Sequence, residues 1–218
     1  MTHFSSSCVL CPRLARHLAG VRSDHPEYHA GPVPAFGDPA ARLIIIGLAP
    51  GLHGANRTGR PFTGDHAGIL LYRTLHKFGF ASGPESVSVA DGLVLTDCRI
   101  TNAVKCLPPA NKPAPDEVRT CNRYLRQELQ QLPPSAVILA LGVVAHGAVV
   151  RALDLRPGGY PFSHGRQHDL PGGVTLLDSF HCSRYNTQTR RLTTAMFEHV
   201  VRHAAELLGA GRRRRPVT

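Results

Sequence analysis

Residues 42–47 read RLIIIG, and the fold is decided by how these six residues must be covered. Isoleucine is β-branched and suits an extended chain, in which successive side chains point to opposite faces. Three isoleucines in a row make both faces apolar, so both must be buried, as in a parallel sheet between layers of helix. Segments 97–104, 136–141 and 174–178 share this character. Among and after them, 67–78, 115–131, 143–153 and 192–208 carry apolar residues at helical spacing. The expected fold is α/β, a three-layer α/β/α sandwich with a central four-stranded parallel sheet. Ligands of such sheets bind outside the carboxyl ends of the strands, so the residues just after each strand are the place to seek function.

Upstream, the chain to Asp38 is rich in Pro, Gly and His after a short helical stretch at 11–19, and reads as an arm wrapped on the body. Pro and Gly clusters at 31–39 and 158–165 read as loops rather than linkers. One domain over 1–209 is expected, followed by a basic, flexible tail at 210–218 that holds Arg212 to Arg215. At 218 residues, 42% hydrophobic and 18% charged, the chain can bury one core. Its 25 Lys and Arg against 15 Asp and Glu give +10, and taking away the four tail arginines leaves +6. A polyanionic partner follows, nucleic acid ahead of membrane. The longest apolar stretch, 136–150, is interrupted by Gly142, His146 and Gly147 and falls short of the about 20 residues that span a bilayer. The opening MTHFSSSCVLCPRL lacks the pattern of a secretory signal, so a cytoplasmic location is the expectation, and a single-domain chain is expected to work as a monomer.

Six cysteines are present. Cys8 and Cys11 form a C-x2-C pair, and Cys106 and Cys121 lie fifteen positions apart. In a cytoplasmic chain such a pair points to metal or redox chemistry rather than to a disulfide. Polar, charged or proline neighbours surround Cys8, Cys11 and Cys106, whereas Cys98 sits inside an apolar strand and Cys182 follows a strand end. The first three, completed by Cys121, read as ligands. Four thiolates suit zinc or a [4Fe-4S] cluster, and spacing does not separate the two. With four protein ligands no coordination position stays open, so the centre ties the arm to the body rather than performing hydrolysis.

Three segments after strands carry side chains suited to a base. GLAPGLHGANRTGRPFTGD, 47–65, is long for a loop in a compact domain. Its glycines, Gly47 and Gly51 among them, let backbone approach a ligand, and it ends in Phe62 and Asp65. TNAVKC places Asn102, whose amide both donates and accepts, after the second strand. HCSRYNT places His181 after the fourth. Each residue has a plainer reading: Asn102 or Asp65 as a helix cap, His181 and Phe62 as core. Their convergence after three strands, on the ligand-binding edge, is what favours a site.

These stretches resemble the uracil-DNA glycosylase superfamily, and within it the bacterial and archaeal family 5 enzymes. The resemblance runs from CVLCPRL through GDPAARLIIIGLAPGLHGANRTGRPFTGD and TNAVKCLPPANKPAPDE to HCSRYNTQTRRLT. It implies a four-stranded parallel sheet between helices, a [4Fe-4S] cluster on Cys8, Cys11, Cys106 and Cys121, and excision of uracil from DNA. By the same resemblance Phe62 stacks on the flipped base, Asn102 reads its N3 and O4 edge, and His181 hydrogen-bonds O2. Related families carry an acidic or amide side chain two residues after Gly47, where this chain has Ala49. The expected pocket is lined by Gly47, Ala49, Gly51, Asn56 and Phe62, with Asp65, Asn102 and His181 as catalytic candidates and Asp65 or Asn56 left to handle the water. Arg57, Arg60, Lys105, Arg184 and Arg190 are candidate phosphate contacts. Substrates beyond uracil, such as other deaminated bases, fit the same pocket. A non-enzymatic iron-sulfur DNA-binding, redox-sensing protein is the alternative, and it leaves the convergence of the three loops without a use.

Overall fold

A computed structural model describes residues 4–213. The chain runs through α1 (Pro12–Asp24), β1 (Phe36–Gly37), β2 (Leu43–Gly47), α2 (Ala55–Thr58), α3 (His66–Lys77), β3 (Cys98–Asn102), α4 (Pro115–Gln130) and β4 (Val137–Leu141). It continues through α5 (Val143–Ala152), β5 (Gln167–Asp169), β6 (Thr175–Ser179), α6 (Arg184–Gln188) and α7 (Thr194–Arg213). The sheet has six strands in the order β1-β3-β2-β4-β6-β5. The four apolar strands expected from sequence form its parallel centre, and β1 and β5 add antiparallel edges. The four-strand count is thereby corrected to six. The edges are two and three residues long, and β5 reads Gln-His-Asp. Neither length nor composition gives such a strand a periodic signal.

The isoleucine run does what its composition demands. Leu43 and Ile45 enter a core built with α3 and α7, including Leu71, Leu75 and Phe197. Ile44 and Ile46 enter the opposite core with α4 and α5, including Leu125, Leu129 and Val149. Each such burial contributes roughly 1.5–3 kcal/mol. A third cluster joins Leu14, Leu18 and Val21 of α1 to Val104, Leu107 and Tyr124. It is reinforced by Glu117, which accepts from Arg13 at 2.7 and 2.8 Å and from the Ala114 backbone N–H at 2.7 Å. The N-terminal arm is thus fixed to the start of α4. The side chains of 210–213 and all of 214–218, where the basic tail was expected, lie outside the described residues. No helix among the described residues is long and apolar enough to cross a membrane.

β3 and β4 flank β2 on opposite sides. The chain therefore reverses direction across the sheet at β2, and the crevice beyond its carboxyl end is where parallel sheets hold ligands. Gly47 closes β2 and is registered against Asn102, the last residue of β3.

Candidate active site

At that crevice a side chain on Gly47 would strike Asn102 and lie 2.6 Å from the Phe62 ring. Only glycine lets the ring and the amide meet over the strand end. Phe62 is buried and held at φ 54, a left-handed conformation costly for a bulky residue. The turn is kept there by Tyr72, whose hydroxyl donates to the Pro61 carbonyl at 2.8 Å, and by Gly68, where any side chain would collide with the Phe62 carbonyl. His181 arrives from β6 and its ring stacks on Phe62, with centroids 5.8 Å apart and planes at 28°. Its carbonyl accepts from the Asn186 amide at 2.8 Å, which ties the segment to α6. Burial pushes the imidazole down to about 4, so it is neutral near pH 7. Asn102 is buried and its Nδ2 has no partner among the described residues. An unsatisfied buried donor costs about 1–3 kcal/mol, which an acceptor brought by a ligand would recover.

The remaining loop residues separate. Asp65 caps α3, its Oδ1 accepting from Gly68 N–H at 2.8 Å, while Oδ2 lies so close to Gly54 that any side chain there would collide. Burial raises its carboxyl above the ordinary value, against the backbone hydrogen bonds that lower it. Asp65 also lines a groove of about 440 Å³ with His66, Arg73 and Arg184. Asn56 is fully buried, and neither amide atom has a partner among the described residues. The Gly51 carbonyl accepts from the N–H groups of Gly54 and Asn56 and so shapes the turn, and Ala49 packs towards the cluster around α1.

Two of the five phosphate candidates are corrected. Lys105 is buried, its Nζ donating to both carboxylate oxygens of Glu128 at 2.9 and 3.0 Å and to Thr101. Arg60 is buried beneath Phe36, 4.7 Å from its centroid, with Thr63, Ser86 and Asp91 as partners. Burial pushes the Asp91 carboxyl up, but Arg60 and three backbone N–H groups hold it well below the usual carboxylate range. Both cations are engaged in buried ion pairs with Glu128 and Asp91. In sequence they look like any exposed cation, because an ion pair across 23 or 31 positions leaves no local mark. Arg57, Arg184 and Arg190 are exposed.

Cys8, Cys11, Cys106 and Cys121 line one pocket with Phe4 and Tyr124, and all four are free thiols. Burial and then the other cysteines and Glu117 push Cys11 up to about 11 and Cys106 up to about 12. Such thiols are protonated near pH 7, and a bound metal ion would favour their thiolate form. The Lys105 N–H donates to Cys121 Sγ, and the Tyr124 hydroxyl to Cys8 Sγ, each at 3.3 Å. Four thiols facing one pocket are a donor set that suits either a zinc ion or an iron-sulfur cluster. Cys98 and Cys182 are core residues.

One constellation escaped the sequence reading. His146 on α5 and His168 on β5 converge on the buried Asp178, at 2.7 and 3.2 Å. His146 Nε2 donates to the Tyr160 carbonyl at 2.7 Å. Burial lowers this imidazole's pKa, but the Asp178 carboxylate outweighs it and the net shift is upward. Three residues from three separate elements give no spacing by which to find them.

The profile of the uracil DNA glycosylase superfamily matches residues 34–205. A type-5 uracil-DNA glycosylase of Thermus thermophilus is 49% identical over 209 residues, covering 94% of this chain and 95% of its own. A type-5 uracil-DNA glycosylase of Pyrobaculum aerophilum is 41% identical over 203 residues, 91% of this chain and 88% of its own. A type-4 uracil-DNA glycosylase of Thermotoga maritima is 32% identical over 143 residues, 65% of each chain. With the glycine-bounded crevice at β2 and a match over nearly its whole length, the chain belongs to the uracil-DNA glycosylase superfamily and, within it, to the type-5 group.

Proposed function

We propose that the chain excises uracil from DNA by hydrolysing the bond between base and sugar, as a cytoplasmic monomer acting in base excision repair. The observation that carries this reading is the meeting of Gly47, Phe62, Asn102 and His181 from three strands, with a buried Asn102 donor left unpaired. Chemistry on a base requires that it leave the stack and enter a pocket that reads its pairing edge. Asn102 Nδ2 supplies the donor for O4 and its carbonyl oxygen the acceptor for the N3 proton.

The entering uracil stacks on the Phe62 ring, and the neutral His181 beside it donates to O2. As the bond breaks, negative charge grows on the base, so a donor aimed at O2 binds the transition state more tightly than the substrate. A single neutral N–H does this without a positive charge beside the cationic sugar. Water reaches the sugar carbon from the side of Asp65, whose raised pKa suits a base, with Asn56 as a second polar partner. Arg57, Arg184 and Arg190 hold phosphates of the flanking strand.

Cys8, Cys11, Cys106 and Cys121 would hold a [4Fe-4S] cluster, which supplies a structural link between the arm before α1, the segment after β3 and α4. A non-catalytic iron-sulfur DNA binder would leave the crevice at β2 without a use.

The test is a panel of oligonucleotides carrying uracil, hypoxanthine or thymine, single-stranded and opposite each partner base, followed by alkaline cleavage. Strand breaks at uracil are expected, and breaks at other deaminated bases would widen the substrate class. No break in any member sinks the assignment.

A further inference from the structure

Beside the base crevice, between the first turns of α4 and α5, runs a groove of about 500 Å³ that no step of uracil excision uses. Its walls are mostly apolar, with Pro115, Val144, Tyr160 and Phe162 among them. Val143 and Val144 are 63% and 39% exposed on its rim. It passes into a second groove of about 460 Å³ lined by Arg119, Arg123, Arg126 and Arg151, with Arg119 and Arg151 shared by both. Arg119, Arg123 and Arg126 stand four and three residues apart on α4, so they share one helix face. The single carboxylate in this lining, Asp154, is held by Arg126 in two hydrogen bonds of 2.5 and 2.6 Å. Among the described residues no carboxylate pairs with Arg119, Arg123 or Arg151.

The groove and the crevice share a wall. A side chain on Gly142 would lie 3.5 Å from His181 Cβ, and Val143 and Val144 follow it directly. The Phe162 ring stands 6.2 Å from that of Phe180, the neighbour of His181. The aromatic floor is fixed from below, since His146 and His168, anchored on Asp178, meet Phe162 and Tyr160 edge-on at 5.7 Å.

We propose that this groove is a second binding site, for single-stranded nucleic acid that continues away from the flipped nucleotide. Unpaired strands are held by a basic track for phosphates beside aromatic and apolar surface for bases. Here Arg119, Arg123 and Arg151 supply the track, and Tyr160, Phe162 and Val144 supply the surface. An acidic protein segment would use the arginines but has no need of a wide aromatic floor. The site lets the enzyme hold an unpaired strand whether or not uracil is present.

The test uses the intact, cofactor-loaded protein and a fluorescent 20-nucleotide thymidine strand without uracil, read by anisotropy across a salt series. The double variant Arg119→Gln/Arg151→Gln changes only exposed positions, and thermal melting verifies its fold. Its affinity for the strand is expected to fall at least tenfold, with the salt slope reduced by about 1.4, since each phosphate no longer neutralised takes away about 0.7. Single-turnover excision of uracil from a short duplex is expected to keep the wild-type rate, which separates this inference from the assignment of the reaction. Unchanged strand affinity overturns the proposal, because the strand would then be held by Arg57, Arg184 and Arg190 alone. An equal loss of affinity for a polyglutamate peptide also overturns it and makes the groove an acidic-protein surface. A slowed single-turnover rate overturns it too, by placing the two arginines in the chemical step.

Discussion

The His181 imidazole stacks against the Phe62 ring, with centroids 5.8 Å apart and planes at 28°. Burial in this packing is what keeps the histidine neutral near pH 7. Two consequences can be measured. His181→Ala should slow single-turnover excision by about 10²–10³-fold, the usual cost of removing one transition-state donor. The wild-type rate should not fall as pH rises through 6.5, the ordinary histidine value, because the group has already lost its proton at about 4. A decline centred near 6.5 would show that a protonated His181 is needed and that burial does not set its state.

Asp65 has a structural task that must be separated from any chemical one. Asp65→Ala removes the cap on Gly68 N–H and should cost about 1 kcal/mol of stability. Asp65→Asn keeps a good cap while removing the base. If the carboxylate activates water, the Asn variant should melt near the wild-type temperature and excise uracil at least tenfold more slowly. A wild-type rate in Asp65→Asn transfers the water to Asn56 or to the loop backbone.

Lys105 and Arg184 look alike in sequence and differ in the fold. Lys105→Ala leaves the largely buried Glu128 beside Thr101 without its cation, and should destabilise the protein by about 3 kcal/mol or more. Arg184→Ala touches an exposed residue on α6 and should leave the melting temperature unchanged. Its effect is expected on DNA, as weaker binding with a salt slope smaller by about 1. Melting curves and salt titrations of both variants decide the matter, and an interchange of the two effects would contradict it.

The four thiols make a separate prediction. Freshly purified protein should be brown, with broad visible absorption and four iron atoms per chain. Cys106→Ser should bleach it and lower the melting temperature, because α1 and α4 lose their shared anchor. A colourless protein holding one zinc ion would contradict the cluster.

What the sequence made legible was whatever is written locally. The isoleucine run and the helical spacings follow from side-chain periodicity, so the parallel centre was readable, although the strand expected over 97–104 ends at Asn102. β1 and β5 were not, because a two-residue and a three-residue edge strand have no period. Nor was the burial of Lys105 and Arg60, which is set by Glu128 and Asp91 in other elements. The Asp178 triad joins residues separated by 32 and 10 positions. Tertiary partners of this kind decide whether a charged residue meets solvent, a phosphate or another side chain, and spacing along the chain does not encode them.

The central claim is that the amide of Asn102, buried and without a partner for Nδ2, is kept for the edge of a flipped uracil. Single-turnover release of free uracil from a uracil-containing strand, by the wild type and by Asn102→Ala, tests it most directly. The wild type should release the base and leave an alkali-labile site. Asn102→Ala, which removes a donor the empty fold does not use, should melt within a few degrees of the wild type and release uracil at least about 100-fold more slowly. Release at the wild-type rate by a folded Asn102→Ala, or no release by the wild type, would contradict the account.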